Sequence, residues 1–243
     1  MKKHLLLGLS IVFLAGSAFA QNDTQNLNTP WAREKVYRKS IAEKFKNHIP
    51  KGWVIESVAE GDLNLDGIPD IVFVTSDRER EDFLRNNSPD SPLYSKIFIF
   101  MNEGDQYSLF QQGSYYDVDG RTEGHRGLPT IYLEIEKGVL LILQETPYPS
   151  WIEYRQFRME NNRLRLIGKN SVILRGGFAV SEKVSYNLLT GKCNEKTDIA
   201  TDDETEKRKI MNDFEVEEKT VWKRIKGNRK IYFGENDEDL KCE

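Results

Sequence analysis

Two hydrophobic periodicities divide the chain. Before Pro50, apolar residues recur at helical spacing, with Tyr37, Ile41 and Phe45 standing four apart. Beyond Pro50 the recurrence shortens to every second residue, the period of half-buried strands. The first pattern predicts an amphipathic helix over 29–48. Thr29 is a suitable N-cap, Pro30 suits the first helical position, and Pro50 and Gly52 stop the helix. Arg33, Lys35, Arg38, Lys39, Lys44 and Lys46 crowd its other face against Glu34 and Glu43. Such a face suits an anionic membrane or polyanion, or is simply a solvated face lying on an acidic body.

The second pattern predicts strands over 53–59 and 71–74, the latter apolar on both faces and so covered on both. It predicts three hairpins, pairing 96–101 with 107–112 around Asn102-Glu103-Gly104-Asp105, 131–135 with 139–143, and 151–159 with 164–167. Residues 220–225 and 230–233 suggest a last hairpin around Gly227-Asn228. Charged stretches interrupt the pattern at 77–92, read as a surface loop, and at 194–219, where 204–214 suits a short helix. The whole predicts a mainly β protein, its antiparallel hairpins forming one sandwich-like or propeller-like domain over 29–243 with a single N-terminal amphipathic helix.

The first residues change the compartment. Lys2 and Lys3, the apolar stretch from Leu5 to Leu14 and Ala18-Phe19-Ala20 have the form of a signal peptide over 1–20, cleaved near Ala20. That stretch is too short to span a membrane, and no comparable one follows, so no membrane span is expected. Residues 21–28 are too polar to join a core and form a flexible leader. The reading is a periplasmic or secreted protein, expected to be a monomer. Loss of Lys2 and Lys3 leaves 33 basic against 39 acidic side chains, a net charge of −6, which argues against nucleic acid as partner. Export also favours a Cys193–Cys242 disulfide over two free thiols.

One segment carries chemistry, Gly61-Asp62-Leu63-Asn64-Leu65-Asp66-Gly67-Ile68-Pro69-Asp70. Oxygen-bearing side chains fall at Asp62, Asn64 and Asp66, Gly67 permits a sharp turn, the Ile68 carbonyl is a main-chain donor, and Asp70 closes the run. Calcium takes six to eight such oxygens. An EF-hand needs a glutamate at its twelfth position, which here is Phe73 inside an apolar run. The other reading of the loop is a metal-free turn in which Asp and Asn bond their own backbone.

Continued through Ile71-Val72-Phe73-Val74, the segment resembles the FG-GAP and VCBS repeats of integrin-like β-propellers. The resemblance implies calcium held between two adjacent strands of a blade by Asp62, Asn64, Asp66, the Ile68 carbonyl and Asp70. A looser resemblance runs through Ile135-Glu136-Lys137-Gly138-Val139-Leu140, Trp151, Phe157-Arg158, Leu166-Ile167-Gly168 and Ser185 to Lys192. It is to a group of exported bacterial proteins with one acidic loop near the start. That group implies a small β-rich body and no particular activity.

Catalytic signatures are sparse. His125, in Glu123-Gly124-His125-Arg126-Gly127, is a candidate binding residue or general base, or an exposed turn. The sequence has no Gly-x-Ser-x-Gly, phosphate loop or dinucleotide fingerprint. Tyr115, Tyr116, Trp151 and Tyr154 lie near turns, where rings stack on sugar or peptide; alternatively Trp151 faces the core with Phe157. The favoured reading is a non-enzymatic envelope module with one calcium loop and a protein or glycan partner. The alternatives are an envelope hydrolase acting on polysaccharide, and an acidic inhibitor of a cationic enzyme.

Overall fold

A computed structural model describes residues 29–77, 93–104, 106–118, 130–147, 150–175, 179–226, 230–235, 237 and 240–243. The predicted signal peptide, leader and His125, with most of the predicted 77–92 loop, lie outside these residues. The chain divides into two compact units, Met1–Tyr37 and Arg38–Glu243. Helix α1 (Pro30–Lys44) begins in the first unit and ends in the second; Thr29 caps it, its hydroxyl accepting from Ala32 N at 3.1 Å and its carbonyl from Arg33 N at 3.2 Å. The helix stops at Lys44, short of the predicted 48, and His48 N bonds back to Phe45 O as the chain turns toward Pro50. Of the predicted stripe, Ile41 and Phe45 are buried, whereas Tyr37 is exposed.

The second unit is built from two antiparallel sheets. One is the four-stranded meander β1 (Val54–Gly61), β2 (Asp70–Ser76), β3 (Leu93–Asn102) and β4 (Tyr107–Val118). The other has seven strands, from β5 (Thr130–Glu136) through β6 (Val139–Pro147), β7 (Ser150–Glu160), β8 (Arg163–Arg175), β9 (Val180–Asn187) and β10 (Lys192–Ile199) to β11 (Lys219–Arg224). Between β10 and β11 lies α2 (Glu204–Asp213), capped by Asp203, whose carboxylate accepts from Thr205 N and Glu206 N at 2.8 and 2.9 Å. Neither sheet closes into a barrel, and a sandwich-like β domain describes the pair.

The doubly apolar β2 is covered on both faces, as its pattern requires. Ile71 and Phe73 join Phe98, Phe100, Ile41 and Phe45 in one cluster, in which the Phe45 ring lies 4.4 Å from that of Phe100 and 5.4 Å from that of Phe73. Val72 and Val74 point the other way, into a larger core with Ile97 and Ile99 and with Leu140, Ile142, Phe157, Leu164 and Leu166 of the seven-stranded sheet. A register shift between Ile55 and Ser57 changes the phase of β1. Ile55 therefore joins the Phe45 side, while the Ser57 hydroxyl accepts from Leu133 N of β5 at 3.2 Å. At Gly61 only a hydrogen fits: a Cβ there would stand 2.6 Å from Ile135 Cγ2.

The other edge, β4, is met by a C-terminal strap. Gln111 Nε2 donates to Phe233 O at 3.0 Å, and the Phe233 ring fills the space a Cβ on Gly113 would crowd at 3.2 Å. Ile231 O accepts from Leu166 N, and Phe233 N donates to Leu164 O, both at 2.8 Å. Ile231, Phe233 and Leu240 are buried in the larger core. This corrects the predicted last hairpin: 230–233 pairs with the start of β8, and β11 pairs with β10. The strap ends on β11, where Arg224 and Glu243 exchange two backbone bonds and Cys193 is disulfide-bonded to Cys242.

The predicted 194–219 interruption begins inside a strand. In β10, Cys193, Thr197 and Ile199 are buried, while its charges meet partners: Lys196 and Lys183 on Asp198 at 2.7 and 3.3 Å, and Glu195 on Lys223 at 2.8 Å. Among the described residues no helix is long and apolar enough to cross a membrane.

Candidate functional site

The Asp62–Asp70 loop joins β1 to β2, two neighbouring antiparallel strands. Its backbone turns at Leu65 (φ 62°) and Gly67 (φ 89°), and Leu63 is buried in the larger core while Leu65 is exposed. Side-chain oxygens line the turn. Asp62 Oδ1 and Oδ2 accept from Asp66 N and Gly67 N at 3.1 and 2.8 Å. Asn64 Oδ1 also accepts from Asp66 N at 3.1 Å, and Asp66 Oδ1 accepts from Ile68 N at 2.8 Å. The Asn64 amide donates to Asp66 Oδ2 at 2.8 Å.

Asp70 is engaged differently. It is fully buried, with Oδ2 accepting from Leu63 N and Oδ1 from Asn102 N, both at 2.9 Å. Burial pushes its pKa up, the two backbone donors oppose this, and the charges of Asp66 and Asp62 add to the rise. Asn102 completes the tie, its amide donating to Pro69 O at 3.0 Å and to the Tyr107 hydroxyl at 3.2 Å. Asp70 therefore fastens the loop to the β3–β4 turn.

Every side-chain donor of the loop's metal reading is oxygen, the chemistry a hard cation requires. An oxygen that accepts one N–H keeps a further lone pair. The loop donors face its own backbone, and among the described residues no three His, Cys, Asp or Glu side chains form a group able to hold a metal ion.

The predicted aromatics do not form one surface. Trp151 and Tyr154 lie on opposite faces of β7. Trp151 shares the inward face with Phe157, and its indole donates to Ser171 Oγ at 2.8 Å. Tyr154 lies on the outward face, half-buried, with its pKa raised by burial and by Glu145. Tyr115 and Tyr116 belong to β4, but their side chains lie outside the described residues, as does all of His125.

Sequence reasoning missed a buried ionic cluster on the inward face of β7 and β8. Arg155 Nε and Nη2 bind Asp237 Oδ2 and Oδ1 at 2.6 and 3.1 Å, and its Nη1 pairs with Glu153. Lys169 Nζ lies 3.1 Å from Asp237 and 3.3 Å from Glu153. Burial pushes Asp237 up, but its hydrogen bonds and charge interactions with Arg155 and Lys169 outweigh this and hold the carboxyl below its ordinary value. Two acids and two bases thus neutralise one another and fix the strap to the sheet. The signal available in the sequence was the alternation Trp151, Glu153, Arg155, Phe157, which puts charges in phase with a core residue.

No family model matches the chain, and neither the curated proteins nor the solved structures contain a significant match.

Proposed function

We propose that this chain is an exported, non-enzymatic β-module with one calcium-holding loop, acting as a binding component of the cell envelope with a protein or glycan as partner. The observation that carries the reading is the loop between β1 and β2, with its alternating oxygens and its Leu65 and Gly67 turn. Asp62, Asn64, Asp66, the Ile68 carbonyl and Asp70 are the residues that would hold the ion. When bound, calcium supplies positive charge among three carboxylates. The meander β1–β4 has the four strands of a single propeller blade, and we take it as the FG-GAP-like unit. The non-enzymatic reading is supported by Glu153 and Asp237, whose carboxylates are tied to Arg155 and Lys169.

A ligand at one hundred times its Kd adds about 2.7 kcal/mol to the native state. For a domain of this size that raises Tm by roughly 5–10 °C. Thermal unfolding with millimolar calcium, against chelator, should show the rise, and Asp66→Ala should abolish it. A melt indifferent to calcium overturns the metal reading.

A further inference from the structure

Of the register rows that cross every strand on the outward face of the seven-stranded sheet, one ends in an exposed ring at both edges. Register pairs Tyr132 with Leu143, Leu143 with Tyr154, Tyr154 with Asn170, Asn170 with Ser185, Ser185 with Asn194, and Asn194 with Trp222. The two ends are the exposed rings, Tyr132 at 51% and Trp222 at 71%. An indole this exposed on an edge strand has no role in the core. Leu143 and Tyr154 follow Tyr132, and between Tyr154 and Trp222 stand an amide, a hydroxyl and a second amide, all half-buried.

Strands lie about 4.8 Å apart, so Tyr132 and Tyr154 are separated by about 10 Å and Tyr154 and Trp222 by about 19 Å. The first interval is close to the advance of one disaccharide along an extended linear glycan, and the second to twice that. Aromatic faces receive the C–H faces of sugar rings, and amides and hydroxyls exchange hydrogen bonds with sugar hydroxyls. A protein partner would instead favour a contiguous apolar centre, which the polar run Asn170, Ser185 and Asn194 interrupts.

Charge narrows the ligand. Lys192 flanks Asn194 on the same strand face, where Lys196 on its other side is paired with Asp198, and Arg224 flanks Trp222. Lys192 and Arg224 stand directly opposite each other, a like-charge register pair that costs stability unless an anion lies across it. Among the described residues neither carries an ion pair. A basic corner on an acidic chain calls for carboxylates on the ligand. The sheet's twist adds a further selection: at about 20° per strand, the row turns by roughly 120° from β5 to β11. A flat crystalline polysaccharide cannot follow that turn, whereas one free chain can, by rotating at its glycosidic bonds.

We propose that the row Tyr132–Tyr154–Trp222, with Asn170, Ser185 and Asn194 between its rings and Lys192 and Arg224 beside it, is a binding site for a single chain of an acidic, uronic-acid-bearing linear polysaccharide. This deepens the binding-module reading and does not depend on the calcium loop, which belongs to the other sheet. The test is titration of the full chain with polygalacturonate oligomers, read by calorimetry for every variant and by tryptophan fluorescence for the unaltered chain, with neutral cellohexaose in parallel and both repeated in chelator. Polygalacturonate should quench the emission in calcium and chelator alike. Trp222→Ala and the double change Lys192→Ala/Arg224→Ala should each weaken binding at least tenfold with Tm unchanged, and Trp222→Phe should retain most of it. Equal affinity for cellohexaose, absence of quenching at millimolar oligomer, or self-association through Trp222 in sedimentation would each overturn the proposal. The calcium melt is read separately, so its failure leaves this result interpretable.

Discussion

Removing the cross-link between Cys193 and Cys242 isolates one contribution to stability. The two residues are 49 apart in sequence, and on the chain-entropy model closing a loop of that size in the unfolded chain is worth about 4 kcal/mol. Cys242→Ala is the suitable change. It leaves the half-buried end of the strap nearly unaltered, and the freed thiol of Cys193, 1% exposed, behaves as a small apolar group. The folded contacts of the strap persist, because Ile231 and Phe233 still bond to Leu166 and Leu164, and Asp237 still binds Arg155 and Lys169. The loss is therefore entropic and falls on the unfolded state. With a urea slope of about 2–3 kcal/mol/M, the unfolding midpoint should fall by roughly 1.5 M. The assay is equilibrium urea unfolding of the oxidised protein, the phosphine-reduced protein and Cys242→Ala. The last two should coincide at the lower midpoint. A displacement below about 0.3 M, with bond loss verified by mass, would refute the entropic reasoning.

Asp70→Ala should cost about 2–4 kcal/mol in chelator, because it strands the buried Leu63 amide and the half-buried Asn102 amide, while Asp66→Ala in the exposed turn should cost under about 1 kcal/mol. Chemical denaturation of the two variants side by side checks this, and equal losses would show that Asp70 does not fasten the loop. For Asp237 the folded pKa lies below its unfolded value, so its contribution is present above the unfolded value near 4 and is lost as pH falls through the folded value. Acid unfolding should therefore include a component below about pH 4 that Asp237→Asn lacks. Superimposable acid limbs for the two proteins would exclude this component.

What could be read from the sequence was local. The Thr29-Pro30 helix start, the hairpins around Asn102-Glu103-Gly104 and Lys137-Gly138, and the pairing of Cys193 with Cys242 each follow from short-range chemistry or from counting cysteines. Ile71 to Val74 announced a strand covered on both faces, and it has two cores. The strap was not legible, because Ile231 and Phe233 could equally have served a hairpin, and what recruits them is Leu164, Leu166 and Gly113 far away in sequence. Nor was the phase of β8. An irregularity opposite Gln156 and Phe157 turns Lys169 inward after Leu164 and Leu166, and no alternation rule places such a shift. The charges of β10 disguised a strand because cross-strand partners satisfy them. The loop's oxygens were legible by spacing, but Asp70's hold on Asn102 needed the third strand.

The strap also sets the order in which the fold can be completed. Leu164 and Leu166 obtain their covering residues from Ile231 and Phe233, and the Gln111 side chain of β4 donates to Phe233 O, more than sixty positions along the chain for the first pair and more than a hundred for the second. Contacts of such separation form late, because loop closure must be completed before they contribute. Until Ile231, Phe233 and Leu240 have been synthesised and docked, the part of the larger core that they fill, beside Leu164 and Leu166, stands open. Before the strap docks, that apolar patch is offered to other chains, and this is the interval in which a holding chaperone has most to protect.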